Sequence, residues 1–263
     1  MELDKQIHRD ELKLRILVTD KCNLACSFCL NDFQEKVHKD FHFIEDETVS
    51  KAITAYSEFF AGKYPLQVYF SGGEPTLHRG IVPYLQFAKE NDCRTTLISN
   101  GYFQKKLENQ LIDIVDCMHI SAYSKDRRLR DRAVRMGADI QSVYSSNNTY
   151  VDMDFLDFYI SAGLKVKIFP DFFDKDYSKY QNLLNDAEKA FPEGSISGRY
   201  TGHQENRGIG CSDCNRKCIT LKAAWVYPDG RTSPCVQHLF SKKPESIGDW
   251  KEYFGSVETF HKV

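Results

Sequence analysis

The sequence predicts an α/β fold, namely a partial (β/α)6 TIM-like barrel followed by a small cysteine-rich unit made of a β-hairpin and a helix. Two observations support this prediction. Short apolar runs alternate with amphipathic segments six times over residues 12–170, which favours parallel strands joined by helices. Cysteine, glycine and serine residues stand where predicted strands end, and barrels of this kind carry their reactive groups at those ends.

The predicted elements follow one another with short connections. Apolar or β-branched runs predict six strands, at residues 12–19, 66–70, 94–99, 117–122, 139–144 and 164–169. Apolar residues at helical spacing predict the intervening helices, at residues 45–60, 81–90, 105–114, 126–136 and 152–162. Right-handed crossovers between parallel strands would close these units into a partial barrel.

Composition limits the class of protein. The 263 residues can bury one sizeable core and a small appendage. The net charge of −2 provides no basic field for nucleic acid, and no apolar run reaches membrane-spanning length. The charged N-terminus lacks a secretory core, and nine cysteines suit a reducing compartment, where clustered thiols more often bind metal. We therefore expect a cytoplasmic protein with neither nucleic acid nor membrane as a partner.

Three cysteines stand directly after the first predicted strand. Cys22, Cys26 and Cys29 have the spacing C-x3-C-x2-C. Three thiolates can hold three irons of a four-iron cluster, most of which have four cysteine ligands, so one iron would stay open. The alternative is a zinc knuckle or a set of core thiols. Zinc prefers four protein ligands, and no fourth stands at a standard spacing, since His38 is nine residues further on.

The second predicted strand ends in a glycine-rich run, Ser71-Gly72-Gly73-Glu74-Pro75. Two glycines allow the backbone to approach a ligand closely, and a glutamate can accept a hydrogen bond from an ammonium group. Gly-Gly and Pro also mark ordinary turns, so the run alone is weak evidence for a binding site. Its position after the second strand, behind the cysteine loop, makes that evidence strong.

The cysteine loop, with Phe28 before its third cysteine, and the Gly72-Gly73-Glu74-Pro75 run together resemble the radical S-adenosylmethionine (SAM) superfamily. The resemblance covers residues from about 12 to about 170. It implies a [4Fe-4S] cluster whose open iron chelates the amino and carboxylate groups of SAM, with Gly72, Gly73 and Glu74 receiving the amino group. It also implies an external one-electron donor such as flavodoxin or ferredoxin, and a 5′-deoxyadenosyl radical that removes a substrate hydrogen atom.

The resemblance implies weaker SAM contacts at other strand ends. Ser99, Asn100 and Ser121 carry groups that suit a ribose or a carboxylate, although Ser-Asn-Gly is also a common turn. Arg135 could pair with the SAM carboxylate. The alternative is that Arg135 belongs to a solvated helix face rich in cations, which could otherwise recruit an acidic electron donor or an anionic substrate. The glycine-rich motif that some relatives have at strand five is absent.

Four more cysteines stand towards the end of the chain: Cys211, Cys214, Cys218 and Cys235. Between the last two, the sequence Tyr-Pro-Asp-Gly predicts a hairpin turn within the spacing C-x11-G-x4-C. This resembles the start of the SPASM and Twitch domains, which hold auxiliary iron–sulfur clusters. No cysteine follows Cys235, so the resemblance implies one auxiliary cluster on these four thiolates. A structural zinc site, or a three-ligand cluster with an iron open to substrate, are the alternatives.

The predicted division of the chain is an extension at 1–11, the barrel at 12–170, a linker at 171–210 and a Twitch-like unit at 211–263. Residues 194–210, rich in Gly, Ser and Arg, are expected to form a loop. Because the barrel is predicted to start near residue 12, we expect no domain that grips a leader peptide. The sequence thus predicts a radical SAM oxidoreductase or epimerase-type enzyme acting on a small molecule such as a sugar or aminocyclitol. The alternatives are a short ribosomal peptide as substrate, with cross-linking or epimerisation, and a non-catalytic iron–sulfur carrier.

Overall fold

The computed structural model describes residues 12–29, 41–146, 150–171, 177–198, 223–233, 245–246 and 249–262. Within them ten strands form one sheet: β1 Lys13–Thr19, β2 Gln67–Gly72, β3 Arg94–Ser99, β4 Cys117–Ser121, β5 Asp139–Tyr144, β6 Val166–Pro170, β7 Ile196–Gly198, β8 Ala223–Val226, β9 Arg231–Ser233 and β10 Glu245–Ser246. Seven α-helices accompany them: α1 Asp46–Phe60, α2 Ile81–Glu90, α3 Lys105–Ile114, α4 Arg127–Met136, α5 Met153–Ile160, α6 Ser178–Ala190 and α7 Trp250–Lys262.

The sheet confirms the predicted α/β architecture. Strands β1 to β6 lie side by side in chain order, and each pairs in parallel with the next. Right-handed crossovers between consecutive parallel strands place all the connecting helices on one face of the sheet. We call the opposite face the inner face. A mostly parallel sheet with its helices on one side is consistent with a partial barrel, and it gathers the carboxyl ends of six strands at one rim.

The alternation of side chains along β1 shows how the two faces differ. Leu14, Ile16 and Val18 are fully buried in the hydrophobic core beneath the helices. Successive strand residues point to opposite faces, so Lys13 and Arg15 lie on the inner face. The core is therefore the layer between sheet and helices, and the first two inner-face side chains of this strand are cations.

A buried tyrosine ties helix α1 to the sheet. The Tyr56 hydroxyl donates to the Leu12 carbonyl oxygen at 2.5 Å and accepts from the Gln67 N–H at 3.2 Å. Its ring lies 5.4 Å from that of Phe60 and 5.8 Å from that of Phe254 on α7. Aromatic packing thus fixes the closing helix α7, which the sequence predicted, against the first barrel helix.

The structure corrects the expectation of a loop at 194–210. Ile196–Gly198 forms strand β7, which pairs in parallel with β6. Gly198 is needed there because a Cβ atom at this position would lie only 2.3 Å from Cδ1 of Leu184 on α6. The remaining residues of that range, from 199, lie outside the described part of the chain.

The predicted hairpin is confirmed, and it continues the barrel sheet. Strands β8 and β9 are antiparallel, and the turn between them closes with Gly230 at φ +80° and its N–H donating to the Tyr227 carbonyl oxygen at 2.9 Å. Strand β8 pairs in parallel with β1, placing Trp225 beside Arg15. The four flanking cysteines lie outside the described residues, so the auxiliary site and the domain limits remain predictions: Cys211, Cys214, Cys218 and Cys235.

Among the helices that the structure describes, none combines the length and the apolar character needed to span a bilayer.

Candidate active site at the carboxyl ends of the strands

The cysteine loop begins directly where β1 ends. The loop is stabilised by its own backbone, because the Cys29 N–H donates to the Cys26 carbonyl oxygen at 3.1 Å and the Leu24 N–H donates to Cys22 Sγ at 3.4 Å. All three cysteines are half-buried. Burial raises the pKa of Cys22 against the opposing effect of the Leu24 N–H, and the nearby charges of Glu74 and Cys29 raise it further. Cys22, Glu74 and Cys29 therefore lie close together at the strand end.

The donors that the loop offers are three thiols, and thiolates are the usual ligands of iron–sulfur clusters. Among the described residues, no three His, Cys, Asp or Glu side chains converge on one point that could hold a metal ion. A four-iron cluster does not require such convergence, because each thiolate ligates a different iron. The residues present thus fit a cluster held by Cys22, Cys26 and Cys29.

Gly72 and Gly73 pack against the end of β1 and the start of the cysteine loop. The Gly73 N–H donates to the Thr19 carbonyl oxygen at 2.6 Å, and the Glu74 N–H donates to the Lys21 carbonyl oxygen at 2.8 Å. A Cβ atom on Gly73 would lie 2.2 Å from Lys21 O, and one on Gly72 would lie 2.3 Å from Thr19 O. The sequence predicted that the backbone at Gly72 and Gly73 approaches a ligand closely. In the structure, the absence of a side chain at these two glycines makes room for the backbone at the end of β1 and the start of the cysteine loop.

The Glu74 side chain is fully buried and satisfied by protein donors. Its Oε1 accepts from the Ser99 hydroxyl at 2.8 Å and from the Thr76 N–H and hydroxyl at 3.0 and 2.6 Å. Its Oε2 accepts from the Asn100 N–H at 2.7 Å. Burial raises the pKa of this carboxyl, and these hydrogen bonds oppose the shift. Glu74 thus joins the end of β2 to the end of β3, and its predicted acceptance from the SAM ammonium stays a prediction.

Asn100 extends this network to the cysteine loop. Its Nδ2 donates to Asn23 Oδ1 at 2.6 Å and lies 3.9 Å from Cys22 Sγ, while its Oδ1 accepts from the Tyr102 N–H at 3.0 Å. The structure therefore brings together Cys22, Glu74, Ser99 and Asn100, which the sequence had placed on three separate strand ends.

The other side of the loop meets an aromatic residue that sequence reasoning missed. Phe28 is buried, and its ring centroid lies 4.8 Å from that of Tyr123, just beyond β4. Burial raises the pKa of Tyr123, and the charges of the three loop thiols, with Cys26 the strongest, act in the same direction. Ser121 accepts from Gln141 Nε2 at 2.8 Å beside this pair. The signal available in the sequence was an aromatic residue two positions past Ser121.

The structure places Arg135 in the helical layer. Its guanidinium pairs with Glu108 between helices α3 and α4, with an Nε to Oε1 distance of 2.9 Å. Arg132 donates to the same carboxylate at 2.8 Å, and Lys105 also contacts it. The predicted pairing of Arg135 with the SAM carboxylate has no support in this placement, because the guanidinium already has a carboxylate partner in the helical layer.

Replacing Glu108 with Gln should lower the free energy of unfolding at pH 7 by about 2 kcal/mol, because three cations lose their partner. Burial of the Glu108 carboxyl raises its pKa, but hydrogen bonds from Arg135, Lys105 and Arg132 outweigh this and lower the pKa to about 2. A lowered pKa in the folded state gives stability above the unfolded pKa of about 4.3, and that stability is lost as pH falls towards 2.

Urea unfolding of parent and E108Q between pH 7 and pH 3 measures this effect. The difference between the two proteins should shrink below about pH 4.5. The matched control is E90Q, since Glu90 is exposed at the end of α2 and should leave stability unchanged. Equal stability of parent and E108Q at pH 7 would show that the ion pairs of Glu108 contribute nothing to the free energy of unfolding.

Solved structures share this fold. Streptococcus suis SuiB superposes with a TM-score of 0.69 at 14% identity, covering 99% of this chain and 70% of that chain. The anSMEcpe structure with bound AdoMet has a TM-score of 0.66 at 16% identity, covering 94% of this chain and 77% of the other. At such identities the likeness shows the fold alone.

Sequence comparisons find partial matches to curated proteins and to one family model. A GTP 3',8-cyclase from Actinobacillus succinogenes is 31% identical over 34% of this chain and 26% of its own length. An S-adenosylmethionine-dependent nucleotide dehydratase from Selenomonas ruminantium is 28% identical over 34% of this chain and 30% of its own length. These matches span less than a third of either relative. The model described as Radical SAM superfamily matches residues 16–141. These residues, which hold the cysteine loop, Gly72, Gly73 and Glu74, are similar to the radical SAM superfamily domain.

Proposed function

We propose that this protein is a radical SAM enzyme that reductively cleaves SAM and removes a hydrogen atom from a substrate. The observation that carries the proposal is the loop of three half-buried thiols at the end of β1, fixed by Gly73 and by the Glu74–Asn100 network. A simple electron carrier does not need three thiolates with an open fourth position. In this proposal Cys22, Cys26 and Cys29 hold a [4Fe-4S] cluster.

When bound, the cluster and SAM supply a 5′-deoxyadenosyl radical after an electron arrives from an external donor such as flavodoxin or ferredoxin. The protein's own contribution is to position and to exclude water. Glu74 holds Ser99 and Asn100, and Asn100 holds the loop through Asn23. Phe28 and Tyr123 cover the opposite side of the loop with aromatic rings. In this arrangement Ser99 and Asn100 influence SAM binding by helping to hold the cysteine loop in position.

The substrate we favour is a small molecule. The sequence predicted a sugar or an aminocyclitol as substrate, with oxidation or epimerisation as the reaction. The relatives' names, GTP 3',8-cyclase and nucleotide dehydratase, make nucleotides a further candidate class of substrate. The second candidate is a short peptide. It is favoured by the likeness to SuiB, of which one structure is bound to the precursor peptide SuiA. An auxiliary iron–sulfur cluster would complete the enzyme, on four predicted ligands: Cys211, Cys214, Cys218 and Cys235.

The test is to measure 5′-deoxyadenosine and iron in anaerobically reconstituted protein, with dithionite as reductant. The parent should release 5′-deoxyadenosine from SAM and contain about eight irons, that is, two four-iron clusters. The variant C22A/C26A/C29A should release none and keep about four irons. The control is C93A, which removes a buried thiol outside the loop and should leave SAM cleavage intact. Cleavage at the parent rate by the triple variant would sink the proposal.

A further inference from the structure

Hydrogen bonds on both sides of Tyr123 fix its place just beyond the end of β4. The Ala122 carbonyl oxygen accepts from the Ser142 hydroxyl of β5 at 2.6 Å. The Ser124 carbonyl oxygen accepts from the hydroxyl of Tyr159 on α5 at 2.7 Å. Two neighbouring elements thus hold the backbone before and after Tyr123, so its side chain extends from a well-fixed position.

The Tyr123 hydroxyl is oriented by two polar side chains. Ser121 and Gln141 are direct neighbours on β4 and β5, and Gln141 Nε2 donates to Ser121 Oγ at 2.8 Å. The Ser121 hydroxyl is also hydrogen-bonded to Tyr123. A serine hydroxyl can accept one hydrogen bond and donate another, so Ser121 gives its proton to the Tyr123 oxygen. The hydrogen bonds therefore run in one direction, from Gln141 through Ser121 to Tyr123.

The Tyr123 hydroxyl keeps its own proton for a further partner. A phenolic oxygen that accepts one hydrogen bond can still donate one. Among the residues that the structure describes, no acceptor for this proton is present. Tyr123 is therefore an oriented hydrogen-bond donor that can meet a bound group.

The position of Tyr123 relative to the cysteine loop indicates what that group is. Its ring centroid lies 4.8 Å from that of Phe28, which stands between Cys26 and Cys29 in the loop. The charges of all three loop thiols act on the hydroxyl, that of Cys26 most strongly, followed by those of Cys29 and Cys22. The hydroxyl therefore lies near the space in which these thiolates would hold a cluster.

We propose that the Tyr123 hydroxyl donates a hydrogen bond to a sulfur of the [4Fe-4S] cluster, and that Ser121 and Gln141 are positioning residues that orient this hydroxyl. Hydrogen bonds to the sulfurs are among the factors that set the reduction potential of a cluster. A reduced cluster carries one more negative charge than an oxidised one, so a donor stabilises the reduced form more. Tyr123 thus makes the cluster easier to reduce. The inference rests on the proposed function, because it requires the cluster.

The experiment is a redox titration of the anaerobically reconstituted full chain without SAM, followed by electron paramagnetic resonance. The signal that C22A/C26A/C29A lacks belongs to the cluster of the cysteine loop. In Y123F the ratio of reduced to oxidised cluster at a fixed potential should fall about fivefold. Phenylalanine keeps the ring against Phe28, so the iron content and melting temperature of Y123F should match those of the parent.

A double-mutant cycle tests the role of Gln141. The Q141M side chain keeps its length but cannot donate, and the ratio of reduced to oxidised cluster should fall about twofold. Y123F/Q141M should match Y123F, because Gln141 acts through the Tyr123 hydroxyl. Y150F and Q86M are the matched controls. Tyr150 is 54% exposed and Gln86 is exposed on α2, so both variants should titrate like the parent.

The outcomes separate this inference from the proposed function. An unchanged potential in Y123F, in protein that holds the cluster and cleaves SAM, would overturn the inference and leave the proposed function standing. An unchanged potential with a raised Kd for SAM would assign the hydroxyl to SAM, which also overturns it. A further fall in Y123F/Q141M would contradict the positioning role of Gln141. A parent that takes up no more iron than C22A/C26A/C29A would overturn both.

Discussion

Replacing Gly73 with Ala is expected to destabilise the protein by about 3 kcal/mol and to prevent the cysteine loop from taking up iron. The added Cβ would lie 2.2 Å from the Lys21 carbonyl oxygen, 2.6 Å from the Lys21 carbonyl carbon and 2.7 Å from the Asp20 carbonyl oxygen. All three are backbone atoms, so no side-chain rotation relieves the overlap. The loop must move away from β2, and the hydrogen bond from the Glu74 N–H to the Lys21 carbonyl oxygen is then lost.

Urea unfolding and iron content of parent and G73A measure the two effects. G255A is the matched control. Among the atoms of the described residues, a Cβ at Gly255 would meet the Phe59 ring, at 3.9 Å. Alanine within helix α7 should therefore leave stability equal or slightly higher. If G73A matches the parent in both stability and iron content, the close packing of Gly73 against the loop has no role in holding it.

Much of the fold could be predicted because local patterns specify it. Apolar runs and helical spacing located six strands and their helices, and the Tyr-Pro-Asp-Gly turn located the hairpin. Strand β7 escaped prediction because Ile196–Gly198 has three residues and no periodicity to detect. Its position depends on pairing with β6 and on the packing of Gly198 against Leu184. These are tertiary contacts, which a local sequence pattern does not contain.

The candidate site shows the same limit. The residue types at the strand ends were predictable, but their partners were not, because the partners are distant in sequence. Glu74 accepts from residues 25 and 26 positions further on, and Arg135 finds Glu108 27 positions earlier. A run of cationic residues does not by itself indicate that two of its arginines will form ion pairs with a buried carboxylate. The glycines likewise predict close approach, while only the structure identifies Thr19 and Lys21 as what is approached.

Replacing Glu74 with Gln is the most informative change at the strand ends, and it should lower the free energy of unfolding by about 2–4 kcal/mol. The buried carboxylate accepts from Ser99, Thr76 and Asn100, so every neighbour is a donor. Glutamine has the same shape but offers one oxygen and one NH2 group. Whichever way the amide is turned, its NH2 faces a donor, and one buried N–H or O–H loses its partner.

The comparison of apo stability with SAM affinity distinguishes two roles for Glu74. Because the side chain joins β2 to β3 and, through Asn100, to the cysteine loop, E74Q should unfold at lower urea concentration before any ligand is added and should hold less iron. E58Q is the control, since Glu58 is exposed on α1 and its replacement should change neither quantity. Unchanged stability and iron content, with a raised Kd for SAM alone, would instead assign Glu74 to the SAM ammonium and contradict its positioning role.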